Sequence, residues 1–502
     1  MKKEIVKNIF SDQTDTNIAL TSENNPPLLY KDLKTLTNRI SRQLSGNHIS
    51  NKDRAAIILP NGPHMASSFL AISSYMSAAP LNPNYKADEY EFYLNDLKPK
   101  IVLVEPNSQN SAVDIAKKLK IPVCEIKIKK DQPTGFFDLF NDESDYIEPE
   151  ENDEALVLHT SGTTSRPKIV PLTNKNIYSS SLNISKSLNL VENDHCLNIM
   201  PLFHIHGLIA IIASSMKSGA SVCASNGFNA LKFLELAKSE KITWYSGVPT
   251  MHQTIMLRAE KNLELAKNLN LRLVRSSSAS LPPAVFEKLN KVFNCPVIEA
   301  YGMTEATHQM TSNPLPPKKQ KAGFVGIPAG PEVAIMDDNN NIMKNGEVGE
   351  ICIKGNNVTA GYENNPEANK ANFNNGWFRT GDQGFFDNDG YLKISGRLKE
   401  IINKGGEKIS PLEVDNVLMD HPSIEQAVCF GYEDKMLGED IATAIILKEG
   451  VNLDEAGLKI YAKEKLAKFK IPKKIFFVTE IPKGATGKLQ RNVLAKKFGL
   501  NN

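Results

Sequence analysis

Residues 159–168, His159-Thr160-Ser161-Gly162-Thr163-Thr164-Ser165-Arg166-Pro167-Lys168, form the stretch from which the fold and the chemistry of this chain are predicted. An apolar run over 155–158 precedes it and predicts a buried strand. Small hydroxyl residues and a glycine then allow several backbone N–H groups to face one anion, and Lys168 adds a mobile positive charge. The spacing differs from G-x-x-x-x-G-K-[ST], so this is not a Walker A loop. We predict a phosphate-binding loop rather than a polar linker, with Thr160, Ser161, Gly162, Thr163, Thr164 and Lys168 as its ligands.

The composition excludes several classes of protein. The 502 residues are 41% hydrophobic and 23% charged, with a formal net charge of +2, which is typical of a globular protein without a nucleic-acid footprint. Six scattered cysteines without a C-x-x-C pair indicate reduced thiols. No apolar run approaches the roughly 18 residues that span a bilayer, and no apolar signal region follows the N-terminal lysines. We therefore expect a cytoplasmic protein with no nucleic-acid and no membrane partner.

The order of predicted elements indicates an α/β fold. Strands are predicted at 53–59, 101–104, 220–224 and 242–246, and helices at 63–77, 87–97, 174–189 and 229–239. Such alternation is typical of a mainly parallel, helix-covered sheet. Residues 105–152 are predicted as short strands and polar stretches, a β-rich subdomain begins near 323, and a small α+β unit ends the chain. We predict a large domain over 1–396 and a small one over 397–502.

Four further motifs follow the loop. They are Tyr301-Gly302-Met303-Thr304-Glu305, Trp377-Phe378-Arg379-Thr380-Gly381-Asp382, Gly396-Arg397-Leu398-Lys399 and Pro482-Lys483-Gly484-Ala485-Thr486-Gly487-Lys488. A carboxylate beside a hydroxyl suits a Mg²⁺ ion that keeps most of its waters, and a carboxylate such as Asp382 can accept from two ribose hydroxyls. In this order the motifs resemble those of the acyl-adenylate-forming superfamily, which holds acyl-CoA synthetases, luciferases and the adenylation domains of peptide synthetases.

The resemblance covers nearly the whole chain and implies a two-step reaction that uses ATP, Mg²⁺ and coenzyme A. It implies a large adenylation domain and a small C-terminal domain that moves between the two steps. The catalytic residues that it implies are Lys488, His204, Thr304 and Glu305, with Glu305 as the metal ligand. By the same resemblance, the loop binds the nucleotide together with Tyr301, Thr304, Asp382, Arg397 and Lys488, the hinge is Lys399, and Gly405 and Gly406 line the coenzyme A tunnel.

The acyl substrate is predicted from three segments that resemble the walls of the acyl pocket in this superfamily. These segments carry His206, Ser278 and His308. Polar groups buried together without partners would cost roughly 1–3 kcal/mol each, and a second carboxylate on the substrate would satisfy them. With Ser165-Arg166 in the loop, this set resembles the oxalate–CoA ligase branch. We predict an AMP-forming acid–thiol ligase that activates a short dicarboxylic acid, oxalate first of all, and transfers it to coenzyme A.

Other interpretations stay open at this point. A 4-coumarate-like or medium-chain acyl-CoA ligase is supported by Gly349-Glu350-Ile351-Cys352-Ile353-Lys354-Gly355, which such ligases also carry. An adenylate-binding protein without turnover, or an enzyme that loads a carrier protein, are further alternatives. We expect small-molecule partners only, and a monomer or weak homodimer.

Overall fold

A computed structural model describes residues 2–23, 25–160, 167–483 and 489–500. Its strands are β1 Ile18–Thr21, β2 Leu28–Leu29, β3 Arg54–Ile58, β4 Ser77–Pro80, β5 Ile101–Val104, β6 Val123–Glu125, β7 Glu154–His159, β8 Ile169–Thr173, β9 His195–Asn198, β10 Ser221–Ala224, β11 Trp244–Gly247, β12 Leu273–Ser276, β13 Val297–Met303, β14 His308–Ser312, β15 Ile327–Pro328, β16 Glu332–Met336, β17 Gly349–Lys354, β18 Phe373–Asn374, β19 Trp377–Phe386, β20 Leu392–Arg397, β21 Ile402–Lys404, β22 Glu407–Ile409, β23 Ile424–Asp434, β24 Gly438–Leu447 and β25 Lys474–Phe477.

The α-helices of the described ranges are α1 Tyr30–Gly46, α2 Pro63–Ser73, α3 Ala87–Leu97, α4 Ser111–Lys118, α5 Asn174–Ser187, α6 Ser214–Ser218, α7 Phe233–Ser239, α8 Pro249–Ala259, α9 Leu263–Lys267, α10 Pro283–Phe293, α11 Pro366–Asn372, α12 Pro411–Met419, α13 Glu455–Lys465 and α14 Leu494–Lys497. Short 3₁₀ turns at Val6–Ile9, Glu260–Asn262, Thr304–Ala306, Leu398–Glu400, Lys468–Lys470 and Arg491–Val493 complete the chain, together with a π-helix at His206–Ala213. None of these helices is long and apolar enough to cross a membrane.

Two mainly parallel sheets build the large N-terminal part. The first has the order β15-β14-β13-β12-β11-β9-β10-β1-β2, and its pairs between β13 and β1 are parallel. The second has the order β6-β5-β3-β4-β7-β8, and only its last pair is antiparallel. One hydrophobic core joins both sheets, and the fully buried π-helix lies within it. The predicted α/β class is confirmed.

Two smaller sheets follow in the chain. The antiparallel sheet β16-β17-β19-β18, with β20 added at β19, is the β-rich subdomain that the glycine-rich turns predict. The sheet β22-β21-β24-β23, with β25 parallel to β24, forms the small α+β unit with α12 and α13. Since β20 ends at Arg397 and pairs with β19, the chain leaves the β-rich sheet there. A domain boundary between 396 and 397 stays a prediction.

Several predicted elements differ from the observed ones. The helix predicted at 63–77 ends at Ser73, and Ser77–Pro80 is a strand. Ser77–Pro80 lies between β3 and β7 in the sheet, so its backbone is paired with strands and cannot continue the helix. Residues 105–152 contain α4, whose eight residues are too few for a clear periodic signal. The helices predicted at 174–189 and 229–239 are shorter, at Asn174–Ser187 and Phe233–Ser239.

Candidate active site

The predicted phosphate loop connects two paired strands. His159 of β7 lies opposite Ile169 of β8, so the two strands that flank the predicted loop are adjacent at this point. At its base the Thr160 N–H donates to the Lys168 carbonyl at 2.9 Å, and the Lys168 N–H donates to Thr160 Oγ1 at 3.1 Å. The predicted ligands Ser161, Gly162, Thr163 and Thr164 lie outside the described residues. The two ends of the loop are therefore fixed beside each other, with Lys168 at the exit.

Glu305 lies at the end of β13, in the 3₁₀ turn that begins at Thr304. Its Oε1 accepts from the Tyr362 hydroxyl at 2.7 Å. The Lys168 ammonium lies 4.3 Å from the centroid of the same Tyr362 ring. Tyr362 thus links the lysine of the loop to the glutamate of the second motif, which brings two distant motifs to one place. No sequence pattern marked Tyr362.

The pKa shifts of Glu305 and Lys168 suit the binding of a metal ion at Glu305. Burial raises the pKa of the Glu305 carboxyl, and the Tyr362 hydroxyl and the Lys168 charge oppose that rise only in part. Burial also lowers the pKa of Lys168, and the nearby Lys399 lowers it further, against the effect of Glu305. A buried carboxylate favours its charged form when a cation binds beside it, and oxygen ligands are those that Mg²⁺ prefers. The donor set therefore fits Mg²⁺ at Glu305.

A second polar group lies where β13, β19 and β20 meet. Asp382 is buried, and Arg397 lies directly opposite it on β20. The Tyr301 hydroxyl donates to Asp382 Oδ2 at 2.5 Å, and Arg397 Nε contacts Oδ1 at 3.1 Å. The negative charge of Asp382 raises the pKa of the Arg397 guanidinium and burial lowers it. The effect of Asp382 is the larger, so the pKa is raised. Three predicted nucleotide ligands are thus held in one network.

This network faces a cavity of about 260 Å³ between the large N-terminal part and the C-terminal part. Tyr301, Asp382 and Arg397 line it from one side, and Leu489 and Arg491 line it from the other. Arg491 is tied to Asp415 at 2.6 Å, so this wall is anchored in the C-terminal unit. The cavity has room for a nucleoside, and its carboxylate can accept from ribose hydroxyls.

Lys488 lies outside the described residues, but the base of its loop does not. Lys483 and Leu489 form an antiparallel bridge on either side of residues 484–488. Leu489 also lines the cavity beside Asp382. The loop that carries Lys488 therefore starts and ends at the edge of the candidate nucleotide site.

The predicted hinge and tunnel residues lie in two turns of the C-terminal half. Lys399 is in the 3₁₀ turn Leu398–Glu400, directly after β20. Gly405 and Gly406 form the two-residue turn between β21 and β22, with φ of +58° and +94°. A hairpin turn of this length favours positive φ at its central residues. Turn geometry thus accounts for both glycines in this conformation, and a tunnel role stays a prediction.

The structure brings the three predicted acyl-pocket residues together. His206 Nδ1 is 3.0 Å from Ser278 Oγ, and the rings of His206 and His308 are 4.9 Å apart between centroids. Both histidines are almost fully buried, at 0% and 2% exposure. Burial above all, and then neighbouring charges, hold the pKa values of both rings well below the usual range. These side chains are therefore neutral at pH 7.

The roles of these three residues differ in the structure. Both ring nitrogens of His206 already have partners, because Nε2 is 2.6 Å from Ser246 Oγ. His308 Nδ1 is buried without a hydrogen-bond partner among the described residues. Ser278 lines the cavity, and His204 Nδ1 accepts from the His206 N–H at 3.2 Å. Of the three residues, Ser278 alone lines the cavity, and His206 and His308 lie behind it. Direct contact of Ser278 and His308 with a substrate stays a prediction.

The sequence analysis did not identify the buried polar side chains that lie behind these three residues. Arg275 is fully buried and donates to Ser246 Oγ at 3.3 Å and to Gln309 Oε1 at 3.2 Å. These residues come from β12, β11 and β14, which are distant in the chain but close in the sheet. Arg275 and Gln309 stand in the segments that resemble the pocket walls, and an arginine directly before the small residues 276–280 was the available signal.

Comparison with known proteins assigns the chain to a family. The AMP-binding enzyme family matches residues 11–363, and the C-terminal domain of AMP-binding enzymes matches residues 413–488. The chain therefore belongs to the AMP-binding enzymes.

Individual relatives are similar over nearly the full length. An oxalate–CoA ligase of Arabidopsis thaliana is 45% identical over 467 residues, which cover 91% of each chain. An oxalate–CoA ligase of Saccharomyces cerevisiae is 41% identical over 97% of this chain and 95% of the relative. The crystal structure of ATP-bound MatB from Rhodopseudomonas palustris has 27% identity and a TM-score of 0.90, with 99% of each chain covered.

Replacing Asp382 tests the nucleotide site. We expect Asp382→Ala to raise the KM for ATP by about 100-fold, because hydrogen bonds to a charged group contribute roughly 1.5–3 kcal/mol each. Asp389→Asn is the matched control, since Asp389 lies in the turn of the same hairpin with 72% of its side chain exposed. Steady-state kinetics at varied ATP measure the effect. An unchanged KM in the Asp382 variant would contradict a ribose-binding role.

Proposed function

We propose that this protein is an ATP-dependent, AMP-forming oxalate–CoA ligase. In the first step, an oxalate oxygen attacks the α-phosphorus of ATP, and oxalyl-AMP and pyrophosphate form. In the second step, the thiol of coenzyme A displaces AMP and oxalyl-CoA forms. The observation that carries this proposal is the polar cluster of Ser278, His206 and His308, whose Ser278 lines the same cavity as Asp382. Two relatives that are oxalate–CoA ligases support it.

The nucleotide is held by groups from four motifs. The Asp382 carboxylate, held by Tyr301 and Arg397, accepts from the ribose hydroxyls, and the loop from Thr160 to Lys168 binds the phosphates. Glu305 would hold Mg²⁺, which when bound neutralises negative charge on the phosphate oxygens. The Thr304 hydroxyl is next to this carboxylate in sequence and contacts the same phosphates.

Lys488 completes the adenylation site. Its ammonium stabilises the charge that develops between carboxylate and α-phosphate, so it acts in the transition state more than in the ground state. The TM-score is 0.90 with ATP-bound MatB and 0.80 with apo MatB from the same organism, which supports an arrangement of the N-terminal and C-terminal parts like that of the ATP-bound state.

The second step requires a different arrangement. A rotation at Lys399, just after the boundary between 1–396 and 397–502, withdraws Lys488 and opens a path for coenzyme A past Gly405 and Gly406. His204, whose Nδ1 accepts from the backbone of His206, lies beside the acyl pocket and gates this path.

Acyl selectivity follows from hydrogen bonding in a very small pocket. The distal carboxylate of oxalate accepts from the Ser278 hydroxyl and from the His308 ring, whose Nδ1 otherwise lacks a partner within the described ranges. Acetate, coumarate and octanoate offer only apolar groups there, so they leave these side chains unpaired. This argues against the 4-coumarate-like and medium-chain alternatives.

The cellular setting belongs to the same proposal. All six cysteines are free and buried, which suits a reducing cytoplasm. The partners are small molecules, namely oxalate, ATP and coenzyme A, and the protein acts as a monomer or weak homodimer.

A substrate panel tests the function. We expect oxalate to support pyrophosphate release with a kcat/KM about 10⁴-fold above that of acetate, because a site built to hydrogen-bond a group rejects analogues without it. Malonate, coumarate and octanoate complete the panel. Equal or faster turnover with octanoate or coumarate would contradict the oxalate assignment, and ATP binding without any AMP production would indicate a binding protein.

The same panel with His308→Ala tests the pocket. We expect kcat/KM for oxalate to fall by about 10- to 100-fold, because one buried hydrogen bond to a carboxylate is lost, with the KM for ATP unchanged. His421→Ala is the control, since His421 is a partly exposed histidine packed on Tyr461 in the C-terminal unit. A variant that keeps the full preference for oxalate would exclude His308 from the acyl site.

A further inference from the structure

Arg275 is a buried cation without a carboxylate partner in the part of the chain that the structure describes. It is 0% exposed, and its Nη1 and Nη2 donate to Ser246 Oγ and Gln309 Oε1, both neutral groups. Burial lowers the pKa of Arg275 to about 9, so it still carries its charge at pH 7. An unpaired buried charge is costly, and the fold keeps this one 3.5 Å from His206 Nε2.

The donors of Arg275 fix the direction of a hydrogen-bond chain. A guanidinium only donates, so Ser246 Oγ accepts from Nη1 and has one hydrogen to give. The only acceptor for that hydrogen among the described residues is His206 Nε2, at 2.6 Å. The contact of Nη1 with Nε2 also requires Nε2 to be the acceptor. His206 therefore carries its proton on Nδ1.

The chain ends at the cavity. His206 Nδ1–H donates to Ser278 Oγ at 3.0 Å, which leaves the Ser278 hydroxyl hydrogen free to donate to a ligand. Ser278 lines the cavity and has a φ of +70°, a conformation that a serine rarely adopts. Strained backbone of this kind is concentrated at functional sites. The field of Arg275 and the hydrogen of Ser278 thus both favour an anion at this point.

We propose that Arg275 is the positioning and specificity-determining residue of the acyl subsite, acting through Ser246, His206 and Ser278 to present a hydrogen-bond donor and a positive field to the distal carboxylate of the substrate. The inference rests on the proposed function for the identity of that carboxylate. Burial, the His308 ring and the Arg275 charge hold the pKa of His206 well below its usual range, so the His206 imidazole is neutral within the hydrogen-bond chain.

The test compares Arg275→Met with Arg275→Lys. We expect Arg275→Met to lower kcat/KM for oxalate by about 50-fold, mainly by raising KM. The reason is that the variant loses the attraction between one positive charge and the substrate carboxylate in a partly buried site. Arg275→Lys should recover at least about a tenth of the wild-type value, because the charge returns without the guanidinium geometry. The KM for ATP should stay within about threefold in both.

Arg272→Met is the matched control. Arg272 lies just before the same strand and pairs with Asp194 through two contacts of 2.6 and 2.7 Å, away from the acyl subsite. Its loss should lower the melting temperature and leave the KM for oxalate unchanged. A normal KM for oxalate in Arg275→Met, or the same rise in Arg272→Met, would overturn the proposal.

Nitrogen-15 NMR of histidine-labelled protein gives a readout that needs no oxalate and remains decisive if Arg275→Met does not fold. In the wild type we expect the His206 resonances, assigned with His206→Ala, to show a protonated Nδ1 and an unprotonated Nε2. The opposite tautomer would overturn the proposal. If this tautomer is found but wild-type enzyme does not activate oxalate, the proposed substrate fails and the positioning role of Arg275 stands.

Discussion

Replacing Lys488 by alanine is expected to reduce the formation of oxalyl-AMP by about 10³-fold, because one preorganised cation at developing negative charge contributes about that much. Thioester formation from supplied oxalyl-AMP should continue at a nearly normal rate, since Lys488 withdraws before that step. The two half-reactions are measured separately, as pyrophosphate release without coenzyme A and as oxalyl-CoA formation without ATP.

The matched control for this experiment is Lys483→Ala. Lys483 is an exposed lysine at the base of the same loop, where it pairs with Leu489. Its replacement removes the same charge a few residues away and should leave both half-reactions within about twofold, as is usual for exposed lysines. If Lys488→Ala slowed both half-reactions equally, the movement of the C-terminal part between the two steps would be contradicted.

The second large effect is expected for Glu305→Gln. The glutamine has the same shape and can still accept from the Tyr362 hydroxyl, but it lacks the charge that binds Mg²⁺. We expect kcat for adenylation to fall by about 10²-fold and the Mg²⁺ concentration for half-maximal rate to rise by at least about tenfold, because the metal supplies several kcal/mol of charge stabilisation.

Two measurements separate a metal effect from damage to the fold in this variant. The affinity for AMP without Mg²⁺ should be unchanged, since Asp382 and Arg397 remain in place. Tyr362→Phe, which removes only the hydroxyl that donates to Glu305, should cost less than about tenfold in kcat. A normal Mg²⁺ dependence in Glu305→Gln would exclude Glu305 as the metal ligand.

The fold class was predictable because alternating apolar segments are a local property of the sequence. The strand at 101–104 and the helix at 87–97 have the predicted bounds, and the strand before the phosphate loop is present. The end of α2 was not predictable from periodicity, because Ser77–Pro80 joins the sheet through backbone hydrogen bonds to β3 and β7. Apolar spacing carries no information about such bonds.

The motifs predicted candidate ligand-binding residues, but not the side chains that contact those residues from behind. Tyr362 bridges Glu305 and Lys168 from a position 57 residues beyond the glutamate, where no motif exists. Arg275 acts through Ser246 and His206, which lie on other elements. Contacts of this kind depend on the order of strands in the sheet, so only the three-dimensional structure shows them.

The central claim is that one cleft holds ATP beside a pocket made for a second carboxylate. The most direct measurement is a crystal structure of the protein with oxalate and a non-hydrolysable ATP analogue. The account predicts the ribose on Asp382, and the distal carboxylate of oxalate within hydrogen-bond distance of Ser278 Oγ and His308 Nδ1. Oxalate bound elsewhere, or an apolar acid filling the space between Ser278 and His308, would contradict it.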